Sequence, residues 1–355
     1  METSAYSSVR VRRVGPVGTA GAARKLASAA AYGGGGLSVL GASLYGVLRL
    51  EAQAARRTIG NAEGAPPDPT GWYGRGRPGP AIKVALLGDS SAAGYGVHRV
   101  EETTGALLAS GLAVRADRRV HLRAFAVVGA RSSDLGGQLD RALPTAPDVA
   151  IILIGANDVT HRVLPAASVR HLSDAVRRLR EAGVAVLVGT CPDLGTVEPI
   201  MPPLKQVARI WSRRLAAAQT IAVLEGGGRT VSLGSILGPE FAAAPALLFG
   251  PDRFHPSADG YRSLAQVLLP SALAALGLGP EDEQEPETFR GEGVMAITDA
   301  AVRAVNVPGT ELDGTEVGGA RRGVRGLWVE LRHRRRHPDT DGEAPQEMEL
   351  DHSEG

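Results

Sequence analysis

The chain has 355 residues, 43% of them hydrophobic and 22% charged, which is the composition of a protein able to bury a sizeable core. Its 39 basic and 38 acidic residues leave a formal net charge of +1, without the basic excess that marks a nucleic-acid partner. Cys191 is the single cysteine, which excludes an intrachain disulfide and a thiolate metal cluster.

In chain order, residues 1–25 form a basic N-terminal segment containing Arg10, Arg12, Arg13, Arg24 and Lys25. Residues 26–48 follow without a charge, a length that can span a bilayer, although glycines 33–36 weaken both hydropathy and helix propensity. The basic flank predicts a transmembrane or signal-anchor segment with the N-terminus inside and the folded domain outside the cell membrane. A cytoplasmic or secreted chain with an Ala/Gly-rich leader is the competing expectation. Residues 49–80 read as a Gly/Pro linker, with Pro66, Pro67, Pro69, Pro78 and Pro80.

Residues 81–279 carry the pattern of a folded domain. Short apolar runs from Ile82 to Leu87, Val120 to Val128, Val149 to Ile154 and Val184 to Val188 predict buried strands. Between and after them, helices are predicted from Thr103 to Ala113, Ser132 to Ala142, Ser168 to Ala182, Pro203 to Ala218 and Ser257 to Ala275. Such alternation implies β-α-β crossovers, hence an α/β protein: a three-layer α/β/α sandwich around a mostly parallel sheet. Residues 280–355 read as a charged, largely disordered tail, in which a mixed segment reaching Val317 could pack as one helix.

In an open parallel sheet, ligands sit outside the carboxyl ends of the strands, so the residues that follow each strand carry the functional expectation. The first strand runs into Gly88-Asp89-Ser90-Ser91-Ala92, placing Ser90 in a strand-to-helix turn where developing negative charge is favoured. Its plainer reading is a helix cap. The second ends in Val128-Gly129-Ala130, where a glycine lets backbone N–H approach a bound carbonyl. The third ends in Gly155-Ala156-Asn157-Asp158, where the Asn157 amide could serve an oxyanion or merely close an Asx-turn. Just before the last helix comes Asp252-Arg253-Phe254-His255, a spacing that lets one loop set a carboxylate against one ring nitrogen while the other faces a serine. Asp89 and Asp158 are expected to bond loop backbone, His161 to be solvated, and Cys191 to be a buried small hydrophobe.

In their order and their positions on the sheet, these four segments resemble the SGNH/GDSL hydrolases over roughly residues 82 to 276. The resemblance implies the flavodoxin-like SGNH fold and a serine esterase. On it, Ser90 is the nucleophile, Asp252 and His255 complete the triad, and the Ser90 N–H, Gly129 and Asn157 form the oxyanion hole. It further implies ester cleavage through an acyl-enzyme, with no cofactor and no metal, on a small-molecule, glycan or lipid ester; deacetylation of a carbohydrate is one form of this. Two positions depart from the family pattern: Ser91 stands where leucine is usual, and Phe125 and Ala126 occupy the stretch where an asparagine often precedes the oxyanion glycine. An acyltransferase on the same triad and a non-catalytic membrane-anchored binding protein are the alternatives. The G-x-S-x-G elbow of α/β-hydrolases does not fit, because Ala92 stands at its last position.

Overall fold

The computed structural model describes residues 42–55, 57–59, 64–278 and 311–313. It divides into two units, Met1–Gln53 and Ala54–Gly355. In the first, residues 42–53 are helical (α1), with the Arg49 guanidinium 5.5 Å from the centre of the Tyr45 ring. Among the described residues, no helix is long and apolar enough to cross a membrane. Of the candidate anchor only residues 42–48 are described; residues 1–25 and, apart from 311–313, the tail 280–355 lie outside the described residues.

The second unit is organised on a seven-stranded sheet of order β1-β3-β2-β4-β5-β6-β7. Its strands are β1 (Gly71–Tyr73), β2 (Ile82–Gly88), β3 (Val120–Ala124), β4 (Val149–Leu153), β5 (Ala185–Gly189), β6 (Arg229–Val231) and β7 (Glu311–Asp313). β3, β2, β4, β5 and β6 are parallel, and β1 and β7 are antiparallel edges. β4, Val149-Ala-Ile-Ile-Leu, is buried along its whole length, as a central strand covered on both faces must be.

Side-chain alternation sorts the core into two layers. Val84 and Leu86 face one side of the sheet, with Leu108 and Leu112 of α3 (Thr104–Ala116) and Tyr261 and Leu268 of α10 (Ala258–Ala275). Ala85 and Leu87 face the other, with Leu135 and Leu139 of α4 (Leu135–Ala142), Leu172 and Val176 of α6 (Pro165–Glu181) and Val223 of α7 (Leu204–Glu225). The expected three-layer α/β/α arrangement is the one observed.

Several boundaries depart from the expectation. The stretch read as linker contributes β1, because Trp72 stacks on His121 of β3 with centroids 4.5 Å apart and the Tyr73 hydroxyl donates to the Pro69 carbonyl at 2.6 Å. The prolines flank that strand instead of interrupting it. β3 stops at Ala124, since the chain turns where the Val127 N–H reaches the Gly88 carbonyl and the Ala130 N–H reaches that of Val127. α7 continues seven residues past Ala218, to Glu225. β6, α8 (Leu233–Ala243) and α9 (Pro245–Leu248) have no counterpart in the sequence reading, being a three-residue strand and two helices that contain proline. β7 lies where one helix was expected; pairing with β6 makes those residues extended.

Candidate active site

The site begins at a contact too close for a side chain. Gly88 ends β2 with φ 131°, and a Cβ there would stand 1.8 Å from the Leu153 carbonyl oxygen of β4. Gln138 of α4 clamps the same residue: the Gly88 N–H donates to Oε1 at 2.7 Å, and Nε2 donates to the Gly88 carbonyl at 2.9 Å. The Asp89 N–H then reaches the Leu153 carbonyl at 2.9 Å. Asp89, not Ser90, caps the short helix α2 (Ser90–Ala93), its carboxylate accepting from the Ser91 N–H at 3.0 Å. Ser90 is therefore the first helical residue, and its hydroxyl is not spent on a cap.

That hydroxyl meets the imidazole of His255. His255 Nε2 lies 3.0 Å from Ser90 Oγ, and Nδ1 lies 2.6 Å from Asp252 Oδ2. The other carboxylate oxygen of Asp252 accepts the backbone N–H groups of Phe254 and His255 at 3.0 and 2.9 Å. One tight loop thus sets both Asp252 and His255, with Arg253 in the left-handed region at φ 57° and the Gly250 N–H closing onto the His255 carbonyl at 2.8 Å. Tyr95 and Phe254 stand edge-on to the imidazole at 4.8 and 5.0 Å, and the buried Tyr261 hydroxyl donates to the Tyr95 carbonyl at 2.6 Å.

Electrostatics separates the two carboxylates. Burial pushes the Asp89 carboxyl up to about 6, with the charge on Asp158 adding to it, while the Ser91 N–H and His255 pull the other way. Burial also opposes ionisation of Asp252, but the His255 side chain and the Phe254 and His255 N–H donors outweigh it and hold the carboxyl below its ordinary range. Asp252 is therefore an anion at neutral pH, suited to fixing the imidazole tautomer.

Gly129 and Asn157 follow β3 and β4, the two strands flanking β2. Gly129, at φ 83°, occupies the third position of the turn closed by the Ala130 N–H on the Val127 carbonyl, a position that favours glycine. Asn157 lies in α5 (Ala156–Thr160) and makes no Asx-turn; its Nδ2 donates to the Ala130 carbonyl at 3.0 Å, so the amide is tied to the Gly129 loop. Asp158 is buried and bonds more than loop backbone. It accepts from the Ser132 N–H and Oγ and from Ser168 Oγ. His161 is exposed, with Nδ1 2.8 Å from the Asn157 carbonyl oxygen, and Cys191 is buried.

Beside Ser90 and His255 opens a pocket lined chiefly by apolar side chains including Leu153, Ile154, Leu194, Leu237, Phe241 and Phe254. The contributions of α8 to this wall, and of the clamp Gln138, escaped the sequence reading. Gln138 carried a signal, being a polar residue on the buried Leu135, Leu139, Ala142 face of α4. Among the described residues, no group of three or more His, Cys, Asp or Glu side chains is placed to hold a metal ion. The geometry suits proton transfer from Ser90 Oγ to His255 Nε2.

The chain has relatives among known proteins. The model of the GDSL-like Lipase/Acylhydrolase family matches residues 86–263. A GDSL-like esterase of Mycobacterium tuberculosis is 42% identical over 263 residues, which span 71% of this chain and 83% of that protein. Among solved structures, TesA is 21% identical, covering 55% of this chain and 99% of its own, with a TM-score of 0.42. A catalytic mutant of an acetylxylan esterase from Geobacillus stearothermophilus is 18% identical, covering 55% and 94%, with a TM-score of 0.43.

Proposed function

Because the chain belongs to the GDSL-like lipase/acylhydrolase family, we propose that it is a serine hydrolase that cleaves carboxylic esters through an acyl-enzyme. The observation that carries the reading is the unbroken hydrogen-bonded chain from Asp252 through His255 to Ser90, at 2.6 and 3.0 Å. Ser90 Oγ attacks the ester carbonyl as His255 Nε2 takes its proton. The oxyanion is received by the Ser90 and Gly129 N–H groups and by the Asn157 amide, one of whose two hydrogens stays available beyond its bond to Ala130. His255 returns the proton to the departing alcohol. It then deprotonates the water that releases the acid, while Asp252 holds the ring and balances its transient charge.

The apolar wall of Leu237 and Phe241 supports an ester whose group next to the carbonyl is apolar. The uncharged run from Leu26 to Leu48 behind five basic residues supports an anchored, extracytoplasmic placement, a reading that rests on the sequence alone. The test is Ser90→Ala, assayed on p-nitrophenyl esters of increasing acyl length and by labelling with a fluorophosphonate. Hydrolysis falls by about 10⁴-fold or more and labelling is lost while the fold is kept. Near-wild-type turnover would overturn the assignment, and ester exchange onto an added alcohol in place of acid release would make the protein an acyltransferase.

A further inference from the structure

Asp158 poses a physical question that the triad does not answer. It is 1% exposed, and among the described residues every hydrogen-bond donor to its carboxylate is neutral: Ser132 N–H at 3.1 Å and Ser132 Oγ at 3.0 Å on Oδ2, and Ser168 Oγ at 2.8 Å on Oδ1. A carboxylate buried without a cation is costly, and the helix-to-helix packing around it could be made with apolar side chains. The placement of its donors suggests what the cost is set against. Ser132 lies two residues beyond Ala130, whose carbonyl takes the Asn157 amide at 3.0 Å. The loop that carries Gly129 is therefore pinned to α5 at two points, Ala130 and Ser132, by the adjacent side chains Asn157 and Asp158. A single bond would leave the loop free to pivot; two hold its position and its direction. Ser168 extends the brace into the first turn of α6.

We propose that Asp158 is a positioning residue for the oxyanion hole, holding the Gly129 N–H and the Asn157 amide in register through Ser132 and Ser168. The inference rests on the serine-hydrolase reading above, since it gives those two donors their work. Preorganised donors stabilise a transition state because they need not move when charge appears, and a displacement on the order of 1 Å can cost about a hundredfold in rate. A residue acting this way alters the affinity for the tetrahedral state and leaves ground-state binding alone.

The experiment compares the full chain with Asp158→Ala, Asp158→Asn, Asn157→Ala and the double variant Asn157→Ala/Asp158→Ala. It reads kcat and KM on p-nitrophenyl butyrate, inhibition by an alkylboronic acid that forms a tetrahedral adduct on the serine, and active sites titrated with a fluorophosphonate. For Asp158→Ala, kcat per titrated site falls about tenfold to a hundredfold, KM stays within about twofold, and the boronate inhibition constant rises by a factor comparable to the loss in kcat. Asp158→Asn recovers most of the rate, because its oxygen still accepts the Ser132 N–H and its amide can donate to Ser168 Oγ. The double variant is less impaired than the product of the single losses. An unchanged kcat per titrated site, losses that multiply, or an unchanged boronate constant overturns the proposal. Should Asp158→Ala fail to fold, Ser132→Ala carries the test: it keeps the N–H bond and loses the hydroxyl, so kcat falls about threefold to tenfold at constant KM, and an unchanged kcat overturns the proposal. Activity retained by Ser90→Ala sinks the hydrolase reading itself, whereas an inactive Ser90→Ala beside a normal Asp158→Ala sinks only the positioning role.

Discussion

Replacing Asp89 by asparagine should make the protein more stable at neutral pH, although the residue sits beside Ser90. Its carboxyl is 2% exposed, and burial raises it from an ordinary 3.8 to about 6. A carboxyl raised on folding binds its proton more tightly in the folded state, so stability falls as pH rises from about 4 to about 6 and then levels off. A difference of about two pH units corresponds to about 3 kcal/mol. Asparagine does not titrate, and its carbonyl oxygen can still accept the Ser91 N–H that caps α2. Urea unfolding of wild type and Asp89→Asn at a series of pH values from 4 to 8 reads this group together with its electrostatic coupling to Asp158 and His255. The curves should nearly coincide near pH 4 and separate through pH 6 in favour of the variant. A gap that is independent of pH, or a wild type that is the more stable at pH 7, would refute the reasoning.

Other perturbations have equally definite outcomes. Gly88→Ala places a methyl group 1.8 Å from the Leu153 carbonyl oxygen at φ 131°, so β2 and β4 must part and thermal unfolding should show a loss of about 3 kcal/mol or more; an unchanged Tm would mean the strands yield freely. Asp252→Asn should cost less activity than His255→Ala, since the acid orients the base but accepts no proton from Ser90; equal losses would give Asp252 a larger share. The depressed Asp252 carboxyl contributes stability at neutral pH that is lost as pH falls through its lowered folded value, so the stability gap between wild type and Asp252→Asn should shrink in acid, as paired urea titrations would show. For location, cells expressing the full chain are compared with cells expressing a chain that begins at Gly64, a start that spares β1. Recovery of the full chain in the membrane fraction, with the domain open to protease in intact protoplasts, is the expected result; an entirely cytosolic full chain removes the anchor.

Legibility followed the range of the forces involved. The strands β2 to β5 could be read from short apolar runs because a parallel strand covered on both faces tolerates almost nothing else, as the fully buried β4 illustrates. The Asp252–His255 loop was legible because the two residues are three positions apart, and a bond between them depends only on local backbone. Residue type and strand ends likewise determined Ser90, Gly129 and Asn157 as candidates. What the sequence could not decide was which of their alternative bonds would form. Asp89 took the cap and left Ser90 free, the Asn157 amide turned to Ala130 instead of its own loop, and Asp158 reached Ser132 and Ser168. The Asp89 cap is local, but the bonds from Asn157 to Ala130 and from Asp158 to Ser132 join segments brought together by the sheet order, as does the contact of Ser90 with His255 across 165 positions of chain. The same holds for β1, β7 and the α8 wall of the pocket, three short elements whose own residues prefer no single conformation. Their form comes from partners distant in the chain, through ladder bonds and burial that exist only once the sheet is assembled.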